Sequence, residues 1–137
     1  MTLKTGVSYF GVRNPEYVKV DLQIIASLGY THILHTFSEE DMEYYQESVR
    51  EIIKKSSAYG LKVYVSPWGV GRVFGGEAFS EFAARNHDSA QKNNLDRPLV
   101  ASCPNSPKFR EYMHHWIDLV CSMEIETVFW DEPHFFF

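Results

Sequence analysis

The chain has 137 residues, enough for one domain of ordinary size, and 45% of them are hydrophobic, which suffices for a real core. A formal net charge of −5 without any Lys/Arg cluster excludes a nucleic-acid surface, and no apolar run approaches the ~18 residues of a membrane span. Cys103 and Cys121 lack metal-type spacing and the amino terminus lacks an apolar signal segment, so free thiols in a soluble, cytoplasmic protein are expected.

Strand and helix alternate from the start. Gly6-Val7-Ser8-Tyr9-Phe10-Gly11 reads as a short strand closed by glycine. Asn14-Pro15-Glu16 opens a helix with a favoured N-cap, a proline at the first helical position and an acid at the positive end of the dipole. Val18, Leu22, Ile25 and Leu28 follow at helical spacing, and Gly29 stops it. His32 to Phe37 is the second strand. Ser38 with Asp41 resembles a capping box, and one helix carrying Tyr45, Val49, Ile52 and Ile53 is expected to run to Gly60. Leu61 to Ser66 is the third strand.

A long interruption then spans residues 67–107, rich in Gly and Asn, with a helical patch around Phe79–Phe82. Loops of this length inside a domain are usually functional, and 69–77 is expected to form a flexible lid. Its glycines are at the wrong spacing for a phosphate loop, and no cofactor is expected. Ser106-Pro107 starts a helix through Phe109, Met113, Trp116, Ile117 and Val120, and Thr127 to Trp130 is a buried final strand. The order implies one α/β domain over residues 1–137 with parallel strands and right-handed crossovers. Two architectures fit, an open doubly wound sheet or four strands forming half of a TIM-type barrel. The first strand lacks a Gly-x-Gly-x-x-Gly turn, which counts against a nucleotide-binding doubly wound fold.

Ligand sites in such folds collect at the carboxyl ends of the strands. Those ends offer Tyr9, Phe10 and Arg13; then His35, Phe37 and Glu39-Glu40-Asp41; then Ser66, Trp68, Arg72 and Glu77; and last Trp130, Asp131, Glu132 and His134. The acids at 39–41 also suit a helix dipole, and His35 suits a hydrogen-bonded core position equally. Aromatics make up 15% of the chain, beyond what a core needs, and surplus Trp and Tyr often line sites for ring-bearing ligands. Asp131-Glu132 is harder to dismiss, because two carboxylates ending an apolar strand are costly unless solvated, paired or used. Side chains alternate along a strand, so a second carboxylate placed across a sugar must come from another strand.

Gly6-Val7-Ser8-Tyr9-Phe10, Ser66-Pro67-Trp68-Gly69, Cys103-Pro104-Asn105-Ser106-Pro107 before the helix holding Trp116, and Trp130-Asp131-Glu132-Pro133-His134 together resemble the amino-terminal half of (β/α)8 glycoside-hydrolase-like proteins. The resemblance implies hydrolysis of a carbohydrate, with Glu132 as acid/base in partly apolar surroundings and Asp131 as its neighbour. Tyr9, Arg13, His35, Trp68, Trp130 and His134 would then shape the sugar pocket. Those enzymes usually carry Asn-Glu where this chain has Asp-Glu, and their strand-seven nucleophile has no counterpart in 137 residues. A homodimer or a longer parent chain is therefore expected to complete the barrel. Asp131, Glu132, His134 and His35 would also suit a metal-dependent sugar isomerase or epimerase, and the same rim without turnover would make a carbohydrate-binding module.

Overall fold

The computed structural model describes residues 3–75 and 78–136; Gly76, Glu77 and Phe137 therefore lie outside the described residues. Four parallel strands alternate with helices: β1 (Gly6–Ser8), α1 (Pro15–Ser27), β2 (His32–Thr36), α2 (Glu39–Tyr44), α3 (Gln46–Ala58), β3 (Lys62–Ser66), α4 (Glu81–Arg85), the pair β4 (Ala90–Lys92) and β5 (Pro98–Ser102), α5 (Pro107–Cys121) and β6 (Thr127–Val128). The main sheet has the order β1-β2-β3-β6, parallel throughout. Each strand is laid beside its predecessor with no reversal. A doubly wound sheet must reverse at a switch point, so the order is that of half a β/α barrel.

The local signals explain the elements. The Asn14 side chain accepts from the Glu16 amide with Pro15 in the first turn, and Ser38 and Asp41 form the reciprocal capping box. Gly29 and Gly60 take φ of 83° and 79° after α1 and α3, the left-handed conformation that ends a helix without a Cβ penalty. Val18, Leu22 and Ile25 of α1, Val49, Ile52 and Ile53 of α3, and Phe109, Met113, Trp116 and Val120 of α5 bury one stripe each. They meet Ile33, Phe37, Val63 and Val65 from alternate strand positions in a single core. Each such fully buried side chain contributes on the order of 1.5–3 kcal/mol. The Trp116 indole N–H, within that core, donates to the Phe37 carbonyl at 2.8 Å.

Four expectations are corrected. The single helix expected from Ser38 to Gly60 is two, broken at Tyr45 (φ −129°, ψ 19°). The final strand ends at Val128, and Phe129 and Trp130 are 43% and 46% exposed; β6 is an edge with a neighbour on one side only, so its apolar run is not buried. Residues 69–74 are not a lid. Val70 and Val73 are fully buried, and a Cβ on Gly71 would stand 2.2 Å from the Phe109 ring, so this glycine permits close approach. Finally, 90–102 is an antiparallel hairpin outside the main sheet, turned where the Asn93 side chain accepts from the Leu95 and Arg97 amides.

Candidate functional site

Strand parity decides where the rim candidates go. Tyr9 and His35 share their face with Val7, Ile33 and Phe37, which is the helix side. The Tyr9 hydroxyl donates to Asp21 of α1 at 2.5 Å; burial, then the Asp21 hydrogen bond and charge, push its pKa up. His35 is buried, with Nδ1 3.1 Å from the Tyr9 carbonyl and Nε2 2.9 Å from Ser56 of α3. Burial, opposed by the Tyr9 hydrogen bond, lowers its pKa to about 4. Both stand on the helix side of the sheet, where they line a small cavity of about 40 Å³ with Arg13 and Asp41. Isoleucine and phenylalanine two residues to either side of His35 carried that information already.

Arg13 sits between two loops. Its Nε donates to Asp41 at 2.6 Å, Nη2 lies 2.9 Å from Glu40, and the guanidinium stands 4.7 Å over the Tyr45 ring. Burial opposes its charge, but the Asp41 hydrogen bond and the Asp41 and Glu40 charges outweigh it and raise its pKa. Asp41 also accepts from the Ser38 amide and hydroxyl. Glu39 is equally committed: its carboxylate accepts from the Gly71 amide at 2.7 Å, the Ser80 hydroxyl at 2.6 Å and the Phe82 amide at 2.9 Å. It ties the interruption to β2 and has no free geometry for a nucleophile.

Beside these groups opens a cleft of about 330 Å³ whose lining includes Arg13, Glu40, Tyr44, Trp68, Phe79 and Glu81. Trp68, Tyr44 and Phe79 are exposed large aromatics, Trp68 by 44%. Gly75 lies against the Trp68 indole, where a Cβ would come within 2.6 Å of it.

The second grouping is the turn after β6. Trp130 packs on Phe74 (5.1 Å between rings) and Trp116 (5.7 Å). The Glu132 side chain is 77% exposed, and its Oε2 is 3.7 Å from Nε2 of His134. This corrects the partly apolar setting expected for Glu132: the strand ends at Val128 and the chain swings outward, with Glu132 itself at φ 23°. Pro133 then bridges Phe74, and the His134 amide donates to the Val73 carbonyl at 2.7 Å. The two groupings are joined through segment 69–75, because the Gly69 amide donates to the Phe74 carbonyl. Gln91, Phe74 and Tyr44 carry no motif that marks them in the sequence, and Phe79 reads there only as part of a helical patch.

Of the isomerase ligand set, Glu132 and His134 lie 3.7 Å apart whereas His35 bonds Ser56 on the helix side, and among the described residues no three His, Cys, Asp or Glu side chains cluster as metal ligands. Among the described residues no helix is long and apolar enough to cross a membrane.

No family profile matches the sequence, and no curated relative matches it. Among solved structures the chain is similar to GH5_18 from Bifidobacterium longum subsp. longum, in complex with Manb1-4GlcNAc, at 10% identity and a TM-score of 0.42. The match covers 90% of this chain and 41% of that one, so the chain spans less than half the length of that structure.

Proposed function

We propose that this chain is the amino-terminal half of a carbohydrate-active β/α barrel of glycoside-hydrolase type, with Glu132 as the proton donor to the leaving oxygen. The observation that carries the proposal is the turn after β6, where Asp131 and Glu132 follow a half-exposed Trp130 at the carboxyl end of the last parallel strand. A carboxyl beside an aromatic platform suits a sugar, whose ring stacks on the indole while its glycosidic oxygen takes a proton. His134, 3.7 Å from Glu132 and able to pair with it when protonated, would help to orient the carboxyl. Trp68 and the cleft beside Arg13 extend the surface for further sugar units. Glu39 is saturated by three donors, and Glu40 and Asp41 are paired with Arg13; we therefore assign the second carboxylate to further strands of a completed barrel, which would also enclose Glu132 and exclude water from it.

The test is hydrolysis of a panel of para-nitrophenyl glycosides and oligosaccharides by the full-length protein and by Glu132→Gln. The substitution is expected to lower kcat by about 10²–10⁴ while leaving sugar affinity nearly unchanged. Equal rates in the two proteins would remove Glu132 from the chemistry. Sugar binding by both without any turnover would favour the non-catalytic binding module.

A further inference from the structure

Gln91 is a nearly buried amide in β4, far in sequence from the acidic turn, and all three of its bonds go to backbone. Its Nε2 donates to the Ser102 carbonyl at 3.1 Å and to the His134 carbonyl at 2.9 Å, and its Oε1 accepts from the Phe136 amide at 3.1 Å. The same segment is held from the other side by the Phe74–Pro133 bridge and the bond from the His134 amide to Val73. Between these attachments and β6 sits Glu132 at φ 23°, a conformation that residues with a Cβ rarely adopt. Strain of this kind persists only where the surroundings over-determine it, and it concentrates at functional sites.

We infer that Gln91 is a positioning residue for Glu132: the hairpin β4–β5 serves as a template that reads the backbone on both sides of residue 135 and thereby fixes the direction of the acidic turn. One side-chain amide satisfies a carbonyl and an N–H two residues apart, as a neighbouring strand would, without needing a strand there. The Ser102 bond anchors the amide in its own hairpin, so the turn inherits the rigidity of the interruption. The chain thus spends its long 67–107 segment on aiming a carboxyl rather than on covering it. The effect on rate rests on the hydrolase reading of Glu132; the effect on the turn does not.

Both are measured in the full-length protein with Gln91→Met, which keeps the volume and removes every bond. Amide exchange is expected to quicken by about tenfold or more at Phe136, whose N–H loses its acceptor, and also at His134 as its bond to Val73 loosens with the turn, with core strand amides unchanged. With para-nitrophenyl glycosides kcat should fall by about ten- to a hundredfold, as expected for misplacement near 1 Å, and KM should stay within about twofold. Gln91→Glu, which keeps only the acceptor for Phe136, is expected to protect that amide and still lose the His134 bond. If Gln91→Met does not fold, Phe136→Pro removes one bond from the half-exposed tail and gives the same comparison through His134 exchange and kcat. Unchanged exchange overturns the inference whatever the activity, as does quickened exchange with unchanged kcat. Quickened exchange in a protein whose wild type hydrolyses no glycoside supports the template and removes the hydrolase proposal.

Discussion

A neutral histidine has one ring proton, and the Tyr9 carbonyl, which can only accept, draws it to Nδ1 of His35. Nε2 then accepts from the Ser56 hydroxyl, whose proton is shared with the Ile52 carbonyl. A second proton on His35 would break this arrangement in a buried position. The folded pKa of about 4 lies below the ordinary 6.5, so the unfolded chain binds the proton more readily. Stability from this group is therefore fully present above pH 6.5 and is lost progressively as pH falls toward 4, by about 3 kcal/mol in all. Urea midpoints across that window should fall steeply in the wild type and less steeply in His35→Gln; parallel curves would mean that other groups carry the acid limb. Glu124 is the residue-scale counterpart of a glycine. It takes φ 56° at the α5-to-β6 join, where the earlier joins use Gly29 and Gly60. Glu124→Gly should relieve about 1 kcal/mol of left-handed strain and raise the melting temperature. The missing glycine was legible in the sequence; that the join keeps its shape regardless was not, because the strain is met by packing elsewhere.

At the scale of elements, caps and stops were readable because each acts within four residues: Asn14-Pro15, Ser38 with Asp41, Gly29 and Gly60. The break at Tyr45 and the short β6 were not, since the first depends on how α2 meets the loop held by Arg13 and the second on the lack of a neighbouring strand. The hairpin left a usable trace, Leu99-Val100-Ala101 after the Asn93-Asn94 turn. Of the candidate site, the acidic turn and Trp68 could be read as rim residues, whereas Gln91 could not, because its partners are backbone atoms more than ten residues away along the chain. The segment expected to be a lid has the sharpest packing requirement. Gly71 combines φ 62° with a Cβ position 2.2 Å from the Phe109 ring, so Gly71→Ala must shift a buried aromatic and strain the backbone at once. A loss of about 2–4 kcal/mol is expected from denaturant midpoints; a loss under about 0.5 kcal/mol would mean that Phe109 moves freely aside.

The whole molecule is an open sheet with helices on one face. On the other face His32, Leu34, Tyr64 and Phe129 line a groove of about 400 Å³, and among the described residues β1 and β6 stand as the edges of the sheet. We expect that face and those edges to be covered by further parallel strands, from a longer parent chain or from a second copy. The 137-residue chain alone should therefore self-associate in sedimentation experiments, and the mass of a single chain at high concentration would count against this. The three tryptophans also grade the molecule by depth. Trp116 is fully buried and hydrogen-bonded, whereas Trp68 and Trp130 stand half in water. Intrinsic fluorescence thus divides into a component that an aqueous quencher such as iodide cannot reach and one that it can. The shielded component reports the fold, and the quenchable one reports the rim. Because Trp130 lies 5.7 Å from Trp116, excitation absorbed in the core can pass outward to the surface indole, so a molecule settling on Trp130 would dim light gathered inside the protein.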